Sequence, residues 1–306
     1  MRTPSPLPAG LGLVFSLDQG LGAGLSVGRL RARDLHTPFR GARTVIESRV
    51  FDNDFKRQHH ELMERCRAFA AIAPARFCFS YATAAALHGI PLPHRVRGDL
   101  RLDVSVPVGR QPPRRRGVRG HRLDKWEVRI FLGMPLVNPA VAWVQVALLH
   151  TLDELIVAGD FLVRRKLPLC TMTELAEATS VPRRGAPIAR KAMLEVRPGT
   201  DSPPETETRV VLVRGGLPEP VVGYTVYHEG YFVGTPDLAY VAEKIAIEYQ
   251  GSGHWLDPAV FEDDIGRREL FERAGWRVIL VTAPRLRHPA YLVAQVAEAL
   301  RERAVS

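Results

Sequence analysis

Three features of the sequence predict a mixed α/β protein built from two or three domains. The chain has 306 residues, and about 150 residues per domain is the ordinary expectation. Hydrophobic residues make up 46% and charged residues 25%, which is globular composition and excludes a disordered, collagen-like or coiled-coil chain. In the last hundred residues, helix-period segments alternate with apolar runs of strand length. Apolar stretches such as Ala140–Leu149 fall short of the ~20 residues that span a bilayer. The opening MRTPSPLPAG has no signal-type apolar core. The three cysteines (Cys66, Cys78, Cys170) are widely spaced and odd in number, so neither a disulfide framework nor a CxxC zinc pair is expected. A reducing, cytoplasmic setting is the corresponding expectation.

Charge is unevenly distributed. From Thr200 onward Lys and Arg number 11 against 16 Asp and Glu, a net of −5, so the first 199 residues carry +14 of the overall +9. A basic region of this kind is the electrostatic footprint of something that meets phosphate. The acidic remainder is read either as a solvated surface or as a source of metal ligands.

The elements follow in chain order. Residues 1–45 read as a helix-turn-helix-like segment. Ser16 caps a short helix, Gly24-Leu25-Ser26 turns, and Ser26 caps a basic helix carrying Arg29, Arg31 and Arg33. In that geometry the second helix would enter a DNA major groove, although Gly20, Gly22 and Gly24 are poor helix residues. Residues 46–196 read as a basic mixed α/β domain. Its helices are predicted at Phe51–Ala73 and from Ser80 to Gly89, and its strands at Leu100–Pro107 and near Trp126–Leu132. Between those strands lies a basic loop with Arg110, Arg114, Arg115, Arg116, Arg119 and Arg122, which suits a phosphate backbone as well as a solvated hairpin tip. Helices at Pro139–His150, Leu152–Arg165, Thr171–Ala178 and Ala186–Leu194 complete the region, and the linker Glu195–Pro204 is the predicted domain boundary. His59-His60 and the cysteines suggest only structural roles.

Residues 197–306 form the third predicted domain, with element order α-β-β-β-α-β-α. Ser202-Pro203-Pro204-Glu205 is a capping-box pattern opening a helix to about Gly215. A hairpin over Val221–His228 and Tyr231–Tyr240 follows, then a strand at Glu243–Gln250 and a helix at Pro258–Ala274. A strand at Trp276–Thr282 and a helix at Pro289–Arg303 close the domain. Asp237 and Glu248 fall on neighbouring strands in apolar surroundings, and Glu205 on the helix beside them. Burying like charges together is costly unless a cation neutralises them, and an all-oxygen donor set suits Mg²⁺ or Mn²⁺.

This layout resembles the PD-(D/E)xK nuclease superfamily. The residues that carry the likeness are Glu205, Pro236-Asp237 and Glu248-Tyr249-Gln250. A closer resemblance is to the very-short-patch-repair-endonuclease-like domain of actinobacterial proteins. It rests on Ser202-Pro203-Pro204-Glu205-Thr206 with Arg209, Gly216-Leu217-Pro218 with Pro220, Asp237-Leu238-Ala239, Glu248-Tyr249-Gln250-Gly251 with His254, Asp264 with Arg267, and Gly275-Trp276-Arg277-Val278. The first two-thirds more weakly resembles AbiEi-type antitoxins, which pair a winged helix with a second domain and bind their own promoter. The resemblance implies a restriction-endonuclease-like fold and a Mg²⁺-dependent DNA endonuclease that cuts or nicks. Asp237 and Glu248 would bind metal with Glu205 assisting, and Arg209, Asp264 and Arg267 would support the site.

The superfamily's usual Lys after the second acid is Gln250 here, which can hydrogen-bond water but cannot act as a base. Lys244 is six residues away on the same strand, about 20 Å, and does not replace it. Several roles stay open on the residues alone. Glu205 is explained either by its cap or by metal binding. His254 is a proton-transfer group, a phosphate contact or an exposed loop residue. Asp264 and Arg267, three apart on a helix, form a surface ion pair or contact DNA. The second functional reading is a DNA-binding repressor of antitoxin type with a toxin partner, reading bases through Arg29, Arg31 and Arg33. RNA ranks below DNA because no aromatic stacking platform is evident in the sequence. Pairing of two copies would suit a nuclease domain of this size.

Overall fold

The computed structural model describes residues 4–47, 49–251 and 258–304, with backbone alone at 97 and 258–265. The chain forms two compact units, one of residues 1–149 with 183–185 and the other of residues 150–182 and 186–306. Both mix helix with strand. Among the described residues, no helix is long and apolar enough to cross a membrane.

The first unit opens with β1 (Val14–Ser16), α1 (Leu17–Gly22), β2 (Leu35–His36) and β3 (Ala42–Val45). These strands form a small antiparallel sheet in the order β1-β3-β2. Ser16 caps α1, as the sequence predicts, and the structure completes a full capping box with Gln19. The basic recognition helix is not formed. Ser26 accepts from the Arg29 N–H, yet only a single 3₁₀ turn, Arg29–Arg31, follows it. Gly20 and Gly22 weaken the preceding helix, and pairing of the flanking segments with β3 takes up the chain that a helix-turn-helix would need.

Next come α2 (Asp54–Ala70), β4 (Cys78–Phe79), α3 (Tyr81–Leu87), α4 (His94–Arg97), β5 (Leu102–Pro107), β6 (Val118–Leu123), β7 (Val128–Phe131), β8 (Met134–Val137) and α5 (Pro139–Val146). The five strands form one mixed sheet in the order β6-β5-β4-β8-β7. Leu62, Met63, Cys66 and Phe69 of α2 pack on Phe79, Leu102, Val104 and Leu136 of the sheet. Strand β6 corrects the sequence reading, since it runs through the predicted basic loop, parallel to β5. All three cysteines are free and buried.

The second unit begins with α6 (Leu152–Leu162), α7 (Met172–Ser180), α8 (Ala186–Met193) and α9 (Pro203–Arg214). It continues with β9 (Val221–Val222), β10 (Val226–His228), β11 (Tyr231–Gly234), β12 (Leu238–Tyr240), β13 (Ile245–Gln250), α10 (Pro258–Arg273), β14 (Arg277–Thr282), α11 (Ala283–Leu286) and α12 (Pro289–Ala304). The sheet order is β14-β13-β12-β9, with β10 and β11 as a separate hairpin. Strands β9, β12 and β13 are antiparallel, while β13 and β14 are parallel across the α10 crossover.

Each of the two long strands predicted at 221–240 is broken in two. Gly223 turns with a positive φ of 63° between β9 and β10. Pro236, which cannot donate to a ladder, separates β11 from β12. The two faces of the sheet bury different partners. Leu238, Tyr240, Ile245, Ile247, Ile279 and Val281 pack with Leu212 of α9 and Leu292 and Val296 of α12. Ala239 and Ala246, on the other face, pack with Phe271 of α10 and Val226 and Val233 of the hairpin.

The predicted boundary at Glu195–Pro204 lies within the second unit. Asp160 of α6, fully buried, accepts from the Arg197 N–H at 2.7 Å and the Thr206 hydroxyl at 3.1 Å. The Arg209 guanidinium reaches the same carboxylate at 2.8 Å and Glu219 at 2.7 Å. Burial pushes the Asp160 pKa up, against the pull of Arg209 and of its hydrogen bonds. Arg209, expected to support the carboxylate site, fastens α9 to α6. Losing one partner of a buried pair typically costs ~3–5 kcal/mol, so Arg209→Ala should destabilise the chain by about that much in urea unfolding. Arg214→Ala, on the half-exposed pairs to Asp153 and Glu195, should cost less than ~1 kcal/mol in the same measurement.

Candidate active site

The register of β12 and β13 builds the site. Leu238 pairs with Ile247, Ala239 with Ala246 and Tyr240 with Ile245. One step further along the same register, Asp237 stands opposite Glu248. Directly opposed residues of an antiparallel pair share a face, with Cβ atoms about 5 Å apart. Both acids fall on the face of Ala239 and Ala246, toward α10. Gln250, two residues beyond Glu248, points to the same face.

Asp237 accepts from the Tyr249 N–H at 2.7 Å, which ties the end of β12 to β13. Its pKa is raised to about 7. Burial is the largest cause and the Glu205 charge the second, with Glu248 adding to them; the Tyr249 hydrogen bond and the Arg267 charge oppose. Three carboxylates therefore converge closely enough to repel. The Arg267 guanidinium, from α10, meets Glu248 Oε1 at 2.7 Å and donates to the Thr235 carbonyl at 2.8 Å. It stands beside the acids as their internal countercharge.

Glu205 is 8% exposed and both its oxygens are engaged. It accepts from the Asp201 N–H at 2.7 Å and from the Ser202 hydroxyl at 2.8 Å. This is an altered capping box. The Ser202 hydroxyl gives its proton to Glu205 and makes no capping bond to the helix backbone. Glu205 thus serves the helix start while placing its charge beside Asp237.

A cation that the sequence reading missed completes the rim. Arg165, just beyond α6, forms an ion pair with Asp201, and Lys166 also reaches Asp201, at 3.5 Å. The Arg165 pKa is raised, first by its hydrogen bond to Asp201 and then by the charges of Asp201, Glu205 and Asp237. The only sequence signal for it is the basic triplet Arg164-Arg165-Lys166.

Other predicted residues fall elsewhere. His254 lies outside the described residues, and of Asp264 only the backbone, within α10, is described. Arg29 forms a double hydrogen bond to Asp34, at 2.9 and 2.7 Å, and donates to the Ser5 carbonyl. It is spent inside its own segment, and with Arg31 and Arg33 it lies on no recognition helix. Arg119 is on β6, where it grips the buried Asp103 and the half-buried Asp99. That pairing takes it out of the phosphate-tracking set. Arg115 donates to the Arg40 carbonyl. Arg114, Arg115 and Arg116 are exposed.

The donor set suits a hard cation, being all oxygen and mutually repulsive around Asp237. Among the described residues, no three His, Cys, Asp or Glu side chains are arranged to enclose a metal.

No known protein-family model matches the chain, and no solved structure does. Two proteins of Mycobacterium tuberculosis are similar to it. They are Uncharacterized protein MT2308 of strain CDC 1551 / Oshkosh and Uncharacterized protein Rv2248 of strain ATCC 25618 / H37Rv. Each is 26% identical over 257 residues, which cover 82% of this chain and 92% of the relative. The likeness therefore extends across both compact units.

The raised Asp237 pKa makes stability depend on pH with a fixed sign. The folded protein holds the Asp237 proton more tightly than the unfolded chain does. The stabilisation is complete below the ordinary aspartate value of 3.8 and is lost as pH rises through about 7. Asn keeps an acceptor for the Tyr249 N–H but cannot ionise. Asp237→Asn should match the parent at pH 4 and exceed it by the order of 1–3 kcal/mol at pH 8, measured by urea unfolding without divalent ions.

Proposed function

We propose that the protein is a metal-dependent DNA endonuclease of PD-(D/E)xK type that hydrolyses a phosphodiester bond. The observation that carries this reading is the placement of Asp237 opposite Glu248 by the β12–β13 register, with Glu205 close enough to raise the Asp237 pKa. Asp237 and Glu248 would hold Mg²⁺ or Mn²⁺. When bound, the ion supplies a water of lowered pKa and stabilises charge developing on the phosphate.

The side chains contribute the rest. Arg267 pairs with Glu248 and orients it in the absence of other cations. Gln250, on the same face as the acids, would hydrogen-bond to a water there and orient it without removing its proton. The restriction-endonuclease-like likeness, the DNA substrate and these roles rest on the motif order together with this geometry. Arg165 and Lys166 offer positive charge at the rim for a phosphate, although Asp201 already engages both.

Gln250 also favours a second reading, binding to DNA without cleavage. The absence of the predicted recognition helix takes away that reading's main sequence support, because Arg29 is committed to Asp34. Supercoiled plasmid incubated with Mg²⁺ or Mn²⁺ separates the two. Nicking or linearisation is expected from the parent, with a loss of at least ~100-fold in Asp237→Asn and Glu248→Gln, since each removes charge at the metal. Cutting that survives both changes rejects the site. Metal-independent DNA binding by a well-folded protein that cuts no form of DNA supports the second reading.

A further inference from the structure

The exposed face of α2 carries a group of side chains that the carboxylate site does not use. Lys56, His59, His60, Met63 and Arg67 recur at helical spacing along one stripe of that helix. Together with Arg49 and Phe55 they line an open cavity of ≈ 330 Å³. Three cations and two imidazoles thus face one space, with no carboxylate among its lining residues. Phe55 is 63% exposed and stacks on the His59 ring at 6.5 Å, with 21° between the planes. Phe51 lies against His60 at 5.1 Å. Met63 forms the floor, where the helix turns into the core.

The carboxylates nearby lie outside this lining. Glu47 pairs with Arg49, Asp52 with Lys56, and Glu64 with His60 at 3.5 Å. Ion pairs this exposed contribute less than ~1 kcal/mol, so a ligand phosphate can take over the Arg49 and Lys56 cations at little cost. A flat aromatic surface bordered by cations provides stacking for a base and countercharge for its phosphate.

We propose that this face of α2 is a binding site for a phosphorylated nucleotide unit. The base stacks on the Phe55–His59 pair, and the phosphate is held by Arg49, Lys56 and Arg67. The unit is either one nucleotide of a single strand or a free nucleotide, and these share the same recognition chemistry. The site is independent of the carboxylates in the second unit.

Fluorescence anisotropy of a labelled oligothymidine, titrated with the full chain in EDTA, tests the proposal, with dTMP as competitor. EDTA silences any metal-dependent cutting, so failure here leaves the nuclease reading untouched. Phe55→Ala should weaken binding about tenfold, the scale of one lost base stack. Arg67→Gln should lower the slope of log affinity against log salt by about 0.7, the value for one phosphate contact on a single strand. Both side chains are exposed, and unchanged thermal melting confirms that the variants fold. Competition by dTMP identifies a free-nucleotide site, and its absence identifies a strand-binding one. Parent-like affinity and slope in both variants, or no binding of either probe, overturns the proposal.

Discussion

The antiparallel register between β12 and β13 is the constraint on which the site depends. Side chains alternate across a strand, so a slip of one residue would send Glu248 to the opposite face and leave Asp237 without its neighbour. The register is held by apolar pairs on both faces. Leu238 and Ile247 lock into the α9–α12 layer, and Ala239 and Ala246 into the α10 layer. The Tyr249 N–H to Asp237 bond extends the pairing past the point where Pro236 interrupts the strand. Burial on the two faces therefore stabilises an electrostatically unfavourable arrangement at the strand ends. Its cost appears in the raised pKa of Asp237.

A second constraint fixes what surrounds the acids. The buried Asp160 joins α6 to the chain before α9 and to Arg209 within α9. Because α9 starts directly after Ser202, this junction also positions Glu205, Asp201 and, through Asp201, Arg165. A buried ion pair contributes little net stability over a well-packed apolar pair of the same size. Here it fixes the relation between α6 and α9, and so it selects which charges line the rim.

Local pattern made much of the second unit legible. Asp237 and Glu248 stand out because each interrupts an apolar strand, and the hairpin-like spacing brings those strands together. The order of helices and strands follows from the same periodicity. Arg165 could not be read this way, since its approach to the acids depends on long-range packing through Asp160. The basic helix at Arg29–Arg33 failed because short apolar segments on either side found strand partners, a tertiary preference that local caps cannot reveal. Arg119 looked like part of a loop because β6 is polar on its exposed positions and lacks a clean alternation. The stacked Phe and His side chains of α2 went unrecognised as a platform for a similar reason. Helical spacing shows which residues share a stripe, and only packing shows which stripe stays open.

The central claim is that Asp237 and Glu248 form one divalent-cation site. Isothermal titration of Mn²⁺ into the parent, Asp237→Asn and Glu248→Gln proteins addresses it without knowledge of any target. The account predicts one site in the parent, with its affinity reduced at least tenfold by either substitution, a coupling expected of ligands to the same ion. Mn²⁺ binding of equal strength in all three proteins, or no binding in the folded parent, would contradict it.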